Sequence, residues 1–251
     1  MSLTVYIVSA ILVFVFSGLL AMAGIGAAFL FVPLFYYLGV PLADATPTAL
    51  LLNVVSLVFA AFNYWRGKLV YWRVGLPVLI AAVILSPLGA RLTPYVDKTI
   101  LLSMFAAFLV FAGFMMLFAK VKAREKPLSR GTEIGAGAGV GSAAGFLGGL
   151  LGVGGGNFIL PVLSWIGLDA KVAAGTTSVV VVFSSLSGFL GHATMGGLDP
   201  VFVGVTALMA ALGSIIGSQL MKTRISSAQL KRIIGVLLWL IAAKMIFDLV
   251  K

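Results

Sequence analysis

The chain has 251 residues, carries a net charge of +10 and contains no cysteine. Hydrophobic residues make up 61% of it and charged residues only 10%, whereas about 25% of the residues of a soluble domain are charged. So few charges cannot cover a water-facing surface, and the composition therefore predicts an integral membrane protein. The absence of cysteine excludes disulfides, thiolate metal sites and cysteine nucleophiles.

Apolar segments follow one another along the chain, most of them near the roughly 20 residues that span a bilayer. They run 3–23, 27–40, 46–65, 74–92 and 100–119, then 134–151, 157–168, 172–190, 201–221 and 233–250. The first segment lacks the basic start of a signal peptide and is interpreted as a membrane helix. The second segment of each set is short for a full crossing, which predicts a broken or half helix.

The two sets of segments have the character of an internal repeat. A shift of 128 residues aligns them without a gap and superimposes glycines, prolines and small hydroxyl residues. The aligned pairs include Gly24 with Gly152, Gly26 with Gly154, Pro33 with Pro161, Thr48 with Thr176, and Ser56 with Ser184. Because such residues punctuate structure, two membrane repeats are predicted, at 1–119 and 134–251, joined by a basic linker at 120–133.

The distribution of basic residues predicts the orientation of the two repeats. Lys and Arg cluster at 66–73, 120–130 and 222–232, which is the positive-inside pattern of cytoplasmic loops rather than a nucleic-acid-binding patch. The first cluster lies between the third and fourth segments, but the last lies between the fourth and fifth segments of its repeat. The halves therefore face opposite ways. We expect an all-α polytopic protein of two inverted five-segment repeats, an architecture of secondary transporters.

A glycine-rich stretch, GVGGGNF at 152–158, is the strongest candidate for a functional break. It lacks a Walker A pattern and a flanking βαβ unit, so it is not a nucleotide loop. Gly154, Gly155 and Gly156 in succession would each cost a helix interior about 1 kcal/mol relative to alanine. Amides freed at such a break, at the start of a short helix, suit an anion. Close helix packing is the alternative interpretation of glycines here, and it best accounts for Gly135, Gly137, Gly139, Gly141 and Gly145.

Small polar residues follow each short segment and complete the candidate site. Thr48 and Thr176 correspond under the shift and are expected to donate to a bound anion, although hydroxyls also bond within their own helix. Asn53 and Asn157 are the costliest of these groups to bury in a membrane. The candidate substrate-binding residues are Gly24, Gly26, Thr48, Asn53, Gly154, Gly155, Gly156, Asn157, Thr176 and Thr177.

Ionisable residues are scarce within the segments. His192 is the one histidine and is expected at the surface or as a cap, whereas Lys244 and Asp248, four residues apart, are expected to pair. A cation pore would present buried carboxylate, histidine or methionine ligands, so the sequence favours an anion. With no nucleophile and base in evidence, no enzyme activity, metal or cofactor is predicted.

The stretch GFLGGLLGVGGGNFILPVLSWIGLDAKVAAGTTSVVVVFSSLSGFLGH at 145–192 resembles the second-half signature of the TauE/SafE family of membrane permeases. The matching residues are Gly154, Gly155, Gly156, Pro161, Ala173, Gly175, Thr176, Thr177 and Ser178. Residues 18–53 repeat the pattern more loosely, with Pro47 where Gly175 stands in the second half. The resemblance implies transport of sulfite, thiosulfate or organosulfonates across a bacterial or archaeal inner (plasma) membrane.

The sequence thus predicts a secondary transporter that moves a small anion through a midplane site by alternating access. A passive anion channel and a non-transporting membrane assembly or signalling factor are the alternatives. The expected partners are the lipid bilayer and the anion, with no nucleic acid. A coupling proton or ion and a homo-oligomer are compatible with the sequence, and the direction of transport stays open.

Overall fold

The computed structural model describes residues 2–20, 26–118, 129–193, 198–220 and 227–250. Within these ranges the regular structure is helical and includes no strand. The helices are α1 (Leu3–Leu20), α2 (Ala28–Tyr37), α3 (Leu42–Arg66), α4 (Trp72–Leu92), α5 (Lys98–Phe118), α6 (Arg130–Leu151), α7 (Gly156–Trp165), α8 (Ala170–Ala193), α9 (Pro200–Leu220) and α10 (Ser227–Val250), with a 3₁₀ turn at Thr93–Tyr95. Six of them are long and apolar enough to cross a membrane, which confirms the all-α polytopic prediction.

The bounds of the helices follow the 128-residue shift. Helix α2 maps onto α7 residue for residue, and α4 maps onto α9 in the same way. Both α2 and α7 have ten residues, about 15 Å of helix, which is half of a bilayer core. The predicted linker at 120–133 lies largely outside the described residues.

Helices α3 and α8 cross at the centre of the molecule and run antiparallel. Asn53 bonds Ser185 near the middle, Leu50 lies near Gly188 on one side, and Tyr64 lies near Gly175 on the other. Corresponding helices of an inverted repeat run in opposite directions. This antiparallel contact and the matched helix bounds support the inverted repeat, which stays a prediction.

Helices α4 and α6 are parallel and pack closely through glycine. A Cβ added to Gly141 would lie 2.5 Å from the carbonyl oxygen of Val78, and one added to Gly145 would lie 2.5 Å from Cα of Ala82. Small residues at four-residue spacing let membrane helices approach to this degree. Packing therefore explains Gly137, Gly141, Gly145 and Gly149. It does not explain Gly135 and Gly139, which face no atom within 4 Å.

The first half of the short helix α2 is buried on every side, whereas Tyr37 at its end is exposed. Residues 28–32, its first turn and more, are at most 1% exposed, and Phe35 packs edge-on against Phe202 of α9. The fold thus holds the start of a half-length helix inside the protein core.

At the last turns of α10, Lys244 donates to both carboxylate oxygens of Asp248 at 2.9 Å, which confirms the predicted pair.

Candidate anion-binding site

The predicted break before α7 is present and is built on glycine. Gly152, Gly154 and Gly155 have φ of 72°, 73° and 73°, a left-handed backbone that glycine adopts without a Cβ penalty. The amide of Val153 donates to the carbonyl oxygen of Gly148 at 2.9 Å, which closes the end of α6. Helix α7 then begins at Gly156, and among the described residues no side chain accepts from the amides of its first turn.

The corresponding break before α2 has a different chemistry. Gly26 has φ of 81°, and the amides of Ala27 and Ala28 donate to Oδ1 of Asn53 at 2.9 and 3.3 Å. Asn53, on the neighbouring α3, therefore occupies the amide end of α2 with a side-chain acceptor of the chain itself. Gly24, its predicted companion, lies outside the described residues.

The two breaks meet at Asn53, which is fully buried. Its Nδ2 donates to Oγ of Ser185 on α8 at 3.0 Å. A Cβ on Gly26 would lie 1.9 Å from Oδ1 of Asn53, and a Cβ on Gly154 would lie 2.3 Å from Nδ2 of the same residue. Both glycines are therefore required by contact as well as by backbone conformation, and one asparagine joins α2, α3, α8 and the second break.

The two helix starts are not equivalent. Under the 128-residue shift, Asn53 corresponds to Val181 and Asn157 corresponds to Phe29. Valine offers no acceptor, so the start of α7 lacks the cap that Asn53 gives to α2. The amide end of α7 is consequently the one that retains its partial positive charge, about half an elementary charge, for another partner.

Three buried polar side-chain atoms in the predicted set have no hydrogen-bond partner among the described residues. They are Oγ1 of Thr48, Nδ2 of Asn157 and Oγ1 of Thr177. A buried polar group without a partner costs about 1–3 kcal/mol, so such groups are uncommon in a folded protein unless something outside the chain pairs with them. Asn157 is the second residue of α7, directly beside its uncapped amide end.

The three unpartnered atoms are spread along the α3–α8 pair. At 1.5 Å per residue, Thr48 lies about 7.5 Å from Asn53 along α3. Thr177 lies about 12 Å from Ser185 along α8, in the opposite direction because these helices are antiparallel. The break with Asn157 lies between the two levels, so the unpartnered groups mark positions on both sides of the centre.

Thr176 is placed differently from the prediction. Its Oγ1 donates to the carbonyl oxygen of Val172 at 2.8 Å and accepts from the amide of Tyr71 at 2.9 Å. From the rise of the helices, Thr176 and Thr48 are separated by about 21 Å along the pair. The structure does not bring these two threonines together, and Thr176 instead fastens α8 to the start of α4.

His192, at the end of α8, is buried and serves as a cap. Its Nε2 lies 2.9 Å from the carbonyl oxygen of Gly149; because a carbonyl only accepts, Nε2 is the donor. Gly149 is in the last turn of α6, where carbonyl groups lose their helical partners. Sequence alone left open whether this histidine was a cap or a surface residue.

In the described part of the chain, no three His, Asp or Glu side chains form a metal-binding group.

The sequence matches a known protein family over most of its length. The model of the sulfite exporter TauE/SafE family matches residues 9–245. This chain belongs to the TauE/SafE family. The match covers both breaks and every described residue of the candidate site, and the resemblance noted in the sequence is thereby confirmed.

Curated relatives of this TauE/SafE chain are named as transporters. A probable membrane transporter protein of Methanocaldococcus jannaschii is 26% identical over 68% of this chain and 66% of its own length. The probable membrane transporter protein YunE of Bacillus subtilis is 22% identical over 91% of this chain and 92% of its own. Sulfite exporter TauE/SafE family protein 1 of Arabidopsis thaliana is 36% identical over 30% of this chain and 17% of its own. As a TauE/SafE member, the protein is a multi-pass membrane transporter that handles a small substrate.

Proposed function

We propose that this TauE/SafE protein is a secondary transporter of a small sulfur-containing anion, such as sulfite, thiosulfate or an organosulfonate, and has no enzyme activity. The observation that carries this proposal is Nδ2 of Asn157, a buried donor for which the described residues supply no acceptor, beside the amide end of α7. An anion with several oxygens accepts from both donors at once.

Helix dipole and neutral donors suit a transported substrate better than a full countercharge does. A buried lysine or arginine at this point would hold the anion tightly, whereas transport requires release in every cycle. Oδ1 of Asn53, an acceptor at the neighbouring break, is already bound to the amides of Ala27 and Ala28. The site therefore presents donors toward the anion and keeps that acceptor turned away from it.

Thr48 and Thr177 extend the proposed path beyond the break. Each hydroxyl is fully buried and has no hydrogen-bond partner in the described part of the chain. The two lie on opposite sides of the level of Asn53. In alternating access, rocking of two inverted repeats exposes a central site first to one side and then to the other. These hydroxyls are positioned to receive the anion on either side as it leaves the amide end of α7.

The orientation is proposed from charge. Helix α3 ends at a basic loop that contains Arg66, Lys68 and Arg73, and such loops stay cytoplasmic. We place this loop on the cytoplasmic side of the inner membrane and the start of α3 on the outer side. Protons that accompany transport are carried by the substrate itself, as in bisulfite, because titratable groups are scarce along the path.

The proposal is tested by replacing Asn157 with leucine, which keeps the branching at Cγ but is larger and has no polar side-chain atom. Purified protein in proteoliposomes is assayed for flux of sulfite, thiosulfate and methanesulfonate, with sulfate and acetate for comparison. We expect flux of the preferred anion to fall at least tenfold in N157L. Thermal stability is expected to stay the same or rise, because the substitution removes an unpaired buried polar group.

The matched control is N63L, since Asn63 is an exposed asparagine of α3. It should leave flux unchanged. Equal flux in N157L and wild type would overturn the proposed site, and a large loss of stability would show that Asn157 has a structural partner instead. Flux that rises linearly with anion concentration and follows voltage alone would indicate a channel.

A further inference from the structure

A cavity of about 1020 Å³ opens where five helices begin or end. It is lined at the end of α2, the start of α3, the end of α4, the start of α5 and the end of α8. We call it the vestibule and define it by Tyr36, Ala43, Arg91, Thr93, Lys98 and His192. Because α3 begins here and ends at the basic loop, the vestibule and that loop lie on opposite sides of the membrane.

The vestibule lies against the end of α6, directly before the α6–α7 break. Thr93 donates through Oγ1 to the carbonyl oxygen of Leu150 at 3.0 Å, one residue beyond the carbonyl that His192 caps. A second, small cavity of about 20 Å³ shares Leu42, Thr93 and Leu101 with the vestibule and is also lined by Thr46. Thr46 touches the break itself, since a Cβ on Gly152 would lie 2.3 Å from its Cγ2.

Two cations line the vestibule without a carboxylate partner among the described residues. Arg91 is at the end of α4, and Lys98, at the start of α5, holds its Nζ 5.2 Å from the ring centre of Tyr36. None of the described residues that line the vestibule is acidic. Asp97, the neighbour of Lys98, lies outside the lining and accepts from the amide of Thr99 at 2.7 Å.

Helix ends do not reverse this charge. Helices α3 and α5 present amide ends to the vestibule, whereas α2, α4 and α8 present carboxyl ends. Each end contributes about half an elementary charge, so the contributions largely offset one another. Arg91 and Lys98 are therefore the charged side chains of the described lining, and Asp44 follows directly after the lining residue Ala43.

We propose that the vestibule is a second anion-binding site, on the outer side of the membrane, which takes small sulfonates and sulfur oxyanions through Arg91 and Lys98. This inference rests on the proposed function for the class of anion. The vestibule would then bind the anion before it reaches the central site, with an affinity that falls as salt concentration rises. Anionic lipid headgroups share the same chemistry and are separated from free anions in the test below.

Cysteine chemistry tests the site without any transport assay, because the natural chain has no cysteine. In A43C, an exposed vestibule position, the thiol is modified with sulfonatoethyl and trimethylammonioethyl methanethiosulfonate in phosphatidylcholine vesicles. We expect the anionic reagent to be favoured, and R91Q/K98Q to lower the ratio of the two rates about tenfold at low salt. The difference should shrink in 1 M salt, where the Debye length is near 3 Å.

Occupancy is measured by protection with methanesulfonate against the uncharged methyl methanethiosulfonate, at constant ionic strength in chloride. Modification of A43C should slow severalfold, and R91Q/K98Q should abolish the protection. The matched control is K171Q, which removes one positive charge at the other end of α8 and should change neither result. Vesicles with phosphatidylglycerol identify the headgroup as occupant if they protect A43C without added methanesulfonate.

Two outcomes overturn the inference: a rate ratio unaffected by R91Q/K98Q, or no protection by methanesulfonate in either vesicle. Failure of the proposed function has a separate signature. In that case wild-type proteoliposomes show no flux of any anion while A43C still shows the charge-dependent ratio and protection. If flux is present, R91Q/K98Q should raise the outer half-saturation concentration severalfold at low salt with the maximal rate kept within about twofold.

Discussion

Asn53 accepts a hydrogen bond of 2.9 Å from the amide of Ala27 through Oδ1 and so caps α2 from a neighbouring helix. The same side chain donates to Ser185 through Nδ2 at 3.0 Å. A single amide group thereby ties the first break to α3 and α8.

Asn53→Leu should destabilise the protein by about 1–3 kcal/mol, because it leaves the amides before α2 and the Ser185 hydroxyl without partners. Asn53→Asp should restore much of that stability, since a carboxylate accepts from the same amides and favours a helix start. Anion flux should nevertheless fall strongly in N53D, because a fixed negative charge then lies beside the site. Thermal unfolding and flux are measured together. Full flux in N53D would contradict the position of the anion at this point.

Gly154→Ala should abolish flux and lower stability, because the new Cβ would meet Nδ2 of Asn53 at 2.3 Å in a left-handed backbone. Gly39→Ala is the matched control. Gly39 has φ of 84° and no atom within 4 Å of an added Cβ, so it carries the backbone strain of about 1 kcal/mol without the contact. A similar loss in both variants would mean that strain, and not convergence on Asn53, makes glycine necessary.

Gly145→Val should separate α4 from α6 and lower the yield of folded protein, because its side chain meets the backbone of Ala82 at 2.5 Å. Gly139→Val, on the same helix, faces open space and should express and unfold like wild type. Size-exclusion profiles and unfolding temperatures in detergent distinguish the two. Normal folding of G145V would require a wider α4–α6 spacing than the structure has.

Thr176→Val should loosen the contact between α8 and the start of α4, because valine does not accept from the amide of Tyr71. A lost bond of about 1 kcal/mol shifts a two-state equilibrium roughly fivefold. With the vestibule side open in this structure, we expect slower thiol modification in A43C/T176V than in A43C. Thr176→Ser keeps the acceptor and should keep the rate. An unchanged rate in A43C/T176V would show that this bond does not hold the present conformation.

Much of the fold follows from local patterns of the sequence. The sequence predicts a short helix at 157–168, and α7 occupies 156–165. This agreement arises because the length of an apolar segment and a run of glycines are both local features of the sequence. The tertiary role of Asn53 could not be read in this way. Its acceptor role spans 26 residues to Ala27, and its bond to Ser185 spans 132. Helix α8 also offers Ser178, Ser184 and Ser187, and only helix packing selects among them.

The paired threonines show where reasoning from symmetry fails. Thr48 and Thr176 correspond in sequence, which suggested a shared site. In an antiparallel pair of helices, however, corresponding residues face each other at one level only. For each residue away from that level, the distance between the two along the helix axis grows by about 3 Å, because each helix contributes a rise of about 1.5 Å. That level falls near Val55 and Phe183, two residues from Asn53 and Ser185, which bond although they do not correspond under the shift. A repeat thus predicts the scaffold better than it predicts which side chains meet.

The unequal helix starts have a consequence for stoichiometry. Because Asn53 caps the amide end of α2, the proposed central site uses one amide end, that of α7. We therefore expect one bound substrate per polypeptide at the central site. Only removal of the cap, as in Asn53→Val, would allow two.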